Sequence, residues 1–325
     1  MYAILVRTTN QRRKERDSGL MMKRSLLLML SIFFINGNYV FGEFKAKNVV
    51  IVVGDQFRHD ESFGNPTHQY IPHLWNDLVP NASRCVTFYG NPSYMALVHL
   101  AIITGSWKDL RRANPDDIPE QPTMFEYYRK ALKKDKNSCY FITSKPELNF
   151  LTYSNHEEYG ENFGATAEFT KEKNNDEELY TKLVAYMKAN HPSLVFVILG
   201  GAKSFNKKNV PADMVRYRRQ LKEMDDHIYR IWGAIQADQV YKDKTDFFFL
   251  NDHGDILLQE DCDDECKRYL VMVALGPDIR KNYSTENKWR QINICPTVGK
   301  ILNFPTPYVA KDATVIDDFF LNGGK

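Results

Sequence analysis

The stretch "NVVIVVGD" at residues 48 to 55 leaves little choice of architecture. Val49 to Val53 are five β-branched apolar residues in a row. With no polar alternation, a strand there has to be buried on both faces. "CVTFYG" (85–90), "CYFITS" (139–144), "SLVFVILGG" (193–201), "TDFFFLND" (245–252) and "YLVMVALG" (269–276) read the same way. Amphipathic stretches lie between them. In the best of these, 212–237, Tyr217, Leu221, Met224, Ile228, Ile231 and Ile235 recur at three- and four-residue steps, while Arg216, Arg218, Lys222 and Glu223 take the other face. That stripe reads as core packing. Alternating strands and helices predict an α/β fold, a mostly parallel central sheet flanked by helices on both faces. No linker, low-complexity run or internal repeat interrupts it, so a single domain over 43–325 is expected.

The N-terminus has a different character. From Met22, Lys23 and Arg24 precede an apolar run, Leu26 to Ile35, that closes on Val40-Phe41-Gly42. This is the order of a cleavable secretory signal. The run falls short of the ~20 apolar residues of a spanning helix, although an uncleaved anchor is the competing reading. Residues 1–42 are therefore expected to be leader, with 1–21 either a charged extension or upstream of the true start. The mature chain is expected to be secreted or periplasmic, with no integral membrane span. Lys and Arg number 43 against 41 Asp and Glu, a net charge of +2 that gives no support to a nucleic-acid partner, and none is expected. Among five cysteines, Cys262 and Cys266 are spaced for a local disulfide or, alternatively, a zinc half-site. "NAS" at 81 and "NYS" at 282 match glycosylation acceptors, which matters only in a eukaryotic secretory pathway.

In sheets of this class the ligand crevice lies beyond the carboxyl ends of the strands. Asp55 stands at the end of the first strand, and Asp252, His253 and Gly254 stand at the end of the fifth. Two carboxylates and an imidazole converging there suit a divalent ion such as zinc or manganese. Each alone is also a common helix cap or turn former.

Together the ordered segments "VVIVVGDQFRHD", "IPHLWNDL", "NPSYMALVHLAIITG", "YRRQLKEMDDHI", "TDFFFLNDHGD", "ALGPDIRKN" and "INICPTVGKILNF" resemble the alkaline phosphatase–sulfatase superfamily, over about 48 to 305. The resemblance implies the three-layer sandwich of that superfamily, with Asp55, Asp252 and His253 as metal ligands. It also exposes three departures. Met95 stands where the family carries its nucleophile, and a thioether cannot attack and be regenerated. Gly200, Gly201, Lys203, Lys207 and Lys208 occupy the stretch where an Asp and a His are expected as further ligands. No His follows in "DILLQEDCDDECKRY".

Ser93 is a substitute nucleophile if Asn91 caps the helix and Pro92 begins it; otherwise it only helps the cap. His99 matches a position where phosphodiesterase-type relatives carry His, as a base or as a packed imidazole. Arg58 could grip a phosphate or sulfate, or be solvated. These features lead to a protein with impaired or lost metal-dependent ester hydrolysis and a crevice for a small anionic ester or glycan. The alternative is an active single-metal hydrolase that uses Ser93 or an activated water.

Overall fold

A computed structural model describes residues 44–89, 95–108, 118–200, 210–252 and 269–321. The expected leader, Cys262 and Cys266 lie outside these residues. The first apolar run forms β1 (Asn48–Gly54), in which Val49 to Val53 are fully buried. Successive side chains enter two different apolar clusters. Val49, Ile51 and Val53 point into one, and Val50 and Val52 into the other. β5 (Leu194–Leu199) and β6 (Thr245–Asn251) flank β1 in parallel register and divide their side chains in the same way. A strand between two such neighbours has both edges hydrogen-bonded and both faces covered, the environment that an unbroken apolar run requires.

The eight-stranded sheet has the order β4 (Thr166–Phe169), β3 (Cys139–Thr143), β5, β1, β6, β7 (Tyr269–Leu275), β2 (Ser83–Tyr89), β8 (Tyr283–Thr285). β7 runs against both its neighbours, and the other pairings are parallel. All six strands expected from apolar runs are present, within two residues of their predicted ends. β4 ("TAEF") and β8 ("YST") lie at the two edges and had no apolar run to reveal them.

Helices close both faces. α1 (Met95–Thr104), α2 (Met124–Leu132) and α5 (Ile294–Ile301) pack on one face through residues such as Leu100, Phe125 and Val298. α3 (Asp176–Asn190) and α4 (Val210–Ala237) cover the other. The predicted α4 stripe from Tyr217 to Ile235 is buried there. Cys85, Cys139 and Cys295 are free thiols inside the core, where burial pushes their pKa up and keeps them protonated. Among the described residues no helix is long and apolar enough to cross a membrane.

α4 also anchors the segment after β1. The Asp225 carboxylate accepts backbone N–H bonds from His73 and Leu74, both at 2.8 Å, at the start of the helical turn Leu74–Leu78. Burial pushes this carboxyl up to about 6 despite those donors. The folded value lies above the unfolded one of ~3.9. The native state thus binds this proton more tightly, and the stability Asp225 contributes is lost as pH rises from about 4 through about 6. We predict that the urea stability of the native chain, minus that of Asp225→Asn, declines across that interval. A difference that stays flat with pH would contradict the assignment.

Candidate functional site

β1 and β6 are adjacent and in register, with Gly54 opposite Asn251, so the residues that follow them, Asp55 and Asp252, emerge side by side. Neighbouring strands lie ~4.8 Å apart. Both carboxylates are buried, at 1% exposure each. The backbone between them is closely tied. Gln56 turns through a left-handed conformation (φ 58°) and donates its N–H to Asp252 Oδ1 at 3.1 Å. Tyr217 of α4 then clamps the loop, donating its hydroxyl to Gln56 O and accepting from the Arg58 N–H, both at 2.8 Å. Burial raises the Tyr217 pKa, so the phenol keeps the proton it donates. Asn251 reaches from β6 to Phe57 O (2.8 Å) and accepts from the Val271 N–H (2.7 Å), joining the segment after β1 to the start of β7.

His99 of α1 completes one side. Its ring is 3% exposed, and Nε2 lies 3.4 Å from Asp252 Oδ2. Of the residues singled out from sequence, Asp55, Asp252 and His99 thus meet at one rim. Met95 begins α1 one turn before His99. The helix ends on Thr104, and Gly105 follows it. Gly105 adopts φ +67°, and a Cβ there would lie 2.6 Å from Val309 Cγ1. Arg58 is directed elsewhere. Its Nε donates to Asp60 Oδ1 at 2.9 Å and a second arm also contacts Asp60, so its charge is neutralised within its own loop. His253, Ser93, Gly201, Lys203, Lys207 and Lys208 lie outside the described residues.

Sequence reasoning missed Lys145. Its ammonium contacts Asp55 Oδ2, with the lysine side chain 17% exposed against 1% for the carboxylate. The local sequence explains the placement. Lys145 follows β3 by two residues, and Pro146 keeps it out of the helical region, at φ −122°. Its N–H donates to Thr143 Oγ1 at 3.0 Å, which turns the side chain back over the sheet end. Burial pulls the Lys145 pKa down, while the carboxylates of Asp252, Glu147 and Asp176 favour the charged form. The only sequence signal was a lysine between a buried strand end and a proline.

Gly200 explains itself in this setting. A Cβ there would lie 2.7 Å from Asn174 Cα, so no carboxylate side chain fits at this strand end. Asp176, the first residue of α3, serves instead as a structural acceptor. It takes the Gly200 N–H at 2.8 Å and the Ser144 hydroxyl at 2.6 Å, and burial raises its pKa.

The fold raises the question of a divalent metal, and the donor set can be tested for fit. Asp55 would have to share its outer oxygen with an ammonium, and a cation beside a cation is repelled. Among the described residues no group of three or more His, Cys, Asp or Glu forms a metal-binding set. A metal held through Asp55 therefore does not fit the described residues while Lys145 stays charged and in place. The pair itself has a measurable consequence. Lys145→Met removes the ammonium that contacts the buried Asp55 carboxylate, and we expect it to cost about 3 kcal/mol at neutral pH in urea unfolding. Most of that loss should be recovered by adding Asp55→Asn. A Lys145→Met chain as stable as the parent would refute the pair.

No protein-family model matches the sequence, and no curated protein matches it either. Solved structures do match. The lipoteichoic acid synthase LtaP of Listeria monocytogenes superposes with a TM-score of 0.61 at 16% identity, over 84% of this chain and 75% of that one. A protein in the alkaline phosphatase superfamily from Vibrio parahaemolyticus gives 0.59 at 15%, over 81% and 68%. The C-terminal periplasmic domain of the phosphoethanolamine transferase EptC of Campylobacter jejuni gives 0.58 at 14%, over 83% and 94%. At these identities the likeness speaks for the fold, an α/β architecture with a mostly parallel central sheet. The chain has the fold of the alkaline phosphatase superfamily.

Proposed function

We propose that this is an exported protein of alkaline-phosphatase-like fold in which metal-dependent hydrolysis of phosphate or sulfate esters is impaired or lost. Its crevice would keep a binding role toward a small anionic ester or a glycan. The observation that carries this reading is the Lys145 ammonium on Asp55, the residue expected to be a metal ligand. Two further features support it. The expected nucleophile position is Met95, and the approach of Asn174 to Gly200 leaves no space for the acid expected at that strand end.

One observation favours the alternative of an active hydrolase using Ser93 or an activated water. A buried imidazole held against a carboxylate, as His99 is against Asp252, is an arrangement that can serve a general base. In either reading, export rests on the charged-then-apolar leader beginning near Met22.

The two readings separate on metal content and turnover. We expect purified full-length protein to hold well under one equivalent of zinc or manganese. Its unfolding midpoint should be unchanged by either ion or by a chelator. Aryl phosphate and aryl sulfate should not be hydrolysed above the level of Asp252→Ala, whereas inorganic phosphate or sulfate should raise the midpoint by binding the native state. One tightly bound ion per chain, with turnover that disappears in Asp252→Ala, would establish the alternative.

A further inference from the structure

Two acceptor sequences for N-linked glycans, Asn81-Ala82-Ser83 and Asn282-Tyr283-Ser284, lie far apart in the chain. The fold brings them together. Asn81 closes the helical turn Val79–Asn81 just before β2, and Asn282 immediately precedes β8. β2 and β8 are parallel neighbours with Ser83 opposite Tyr283, and the Tyr283 N–H donates to Ala82 O at 3.1 Å. The two asparagines therefore flank the same corner of the sheet, roughly 5–10 Å apart by strand spacing.

Both are exposed. Asn282 sits in the left-handed region (φ 48°), which asparagine tolerates well. The Asn81 amide is committed only to a 3.4 Å bond with Asp77 O, so neither side chain is needed by the core. The remaining Asn-x-Ser/Thr triplets among the described residues and their borders differ in chemistry. Asn65-Pro66-Thr67 and Asn91-Pro92-Ser93 carry proline at the middle position, which excludes them as acceptors. Asn65 Oδ1 is also occupied, accepting from the Thr67 N–H at 3.0 Å and from its hydroxyl at 2.8 Å.

Strand direction fixes where glycans would stand relative to the crevice. β7 is antiparallel to both β6 and β2, so β2 and β8 run in the same sense as β1 and β6. Asn81 and Asn282 lie at the amino ends of their strands, whereas Asp55 and Asp252 follow the carboxyl ends of theirs. Sugars at the first pair leave the second accessible. They would also stand beside β8, the outermost strand, whose unpaired backbone groups invite association with another chain.

We propose that Asn81 and Asn282 form a paired N-glycosylation site at the β2–β8 corner, opposite the crevice. This rests on the export in the functional reading above, so the experiment separates the two. The full chain is expressed in eukaryotic secretory cells, once with its own leader and once with a host signal in place of residues 1–42. Mass is then measured before and after peptide N-glycosidase treatment. Two glycans are expected, with Asn81→Gln and Asn282→Gln each removing one and the double variant removing both. Ser284→Ala, at an exposed position, should abolish the second site while leaving Asn282 in place. A chain exported behind the host signal that carries no glycan, or only one, overturns the proposal. Glycosylation with the host signal but not with the native leader would sink the export reading and uphold the paired site.

Discussion

Burial of β1 on both faces and along both edges is the constraint from which the rest of the structure follows. A strand in that position can carry no polar side chain in its interior, because each would lose water with nothing to replace it. Its chemistry is confined to the residue where it leaves the sheet. The same holds for the stretch Phe247 to Leu250 of β6 beside it. The two adjacent strands therefore deliver the carboxylates that follow them, Asp55 and Asp252, to adjoining positions.

That geometry creates an electrostatic requirement. Two unit charges ~5 Å apart at an effective dielectric of 20 repel by about 3 kcal/mol, a sizeable part of a domain's net stability. A buried acid pair needs positive charge close by. A divalent ion is one solution, and a tethered ammonium is another. Here Lys145 comes from β3, two strands away from β1, and meets Asp55, while the His99 ring of α1 lies beside Asp252. The lysine costs conformational entropy and desolvation but needs no solute from outside. Its position also bears on chemistry. An ammonium can balance charge, yet it cannot accept a lone pair from an attacking oxygen as a metal does.

Much of the architecture was legible in the sequence because it rests on short-range pattern. Apolar runs located six strands to within two residues, and the three- and four-residue steps of Tyr217 through Ile235 identified the buried face of α4. β4 and β8 were not legible, since half-exposed edge strands of four and three residues carry no distinctive period. At the candidate site, the positions of Asp55 and Asp252 directly after strands, and of His99 on the helix of "NPSYMALVHLAIITG", were legible in the sequence, and His99 lies beside Asp252 in the structure. Arg58 could not be read correctly. Its partner is Asp60, and the choice between a loop neighbour and a bound anion depends on loop conformation.

What the sequence by itself determined was which segments must be buried, and hence the sheet, its two helical layers and the end at which polar residues collect. The reason is that burial follows from composition over a few adjacent residues. Only the tertiary structure decided which charges meet. Lys145 had no motif around it, and Gly200 looked like a lost ligand until Asn174 was seen pressed against it. Contacts between strand ends depend on the order of strands in the sheet, here β3, β5, β1, β6, and that order arises from long-range packing that no local stretch of residues encodes.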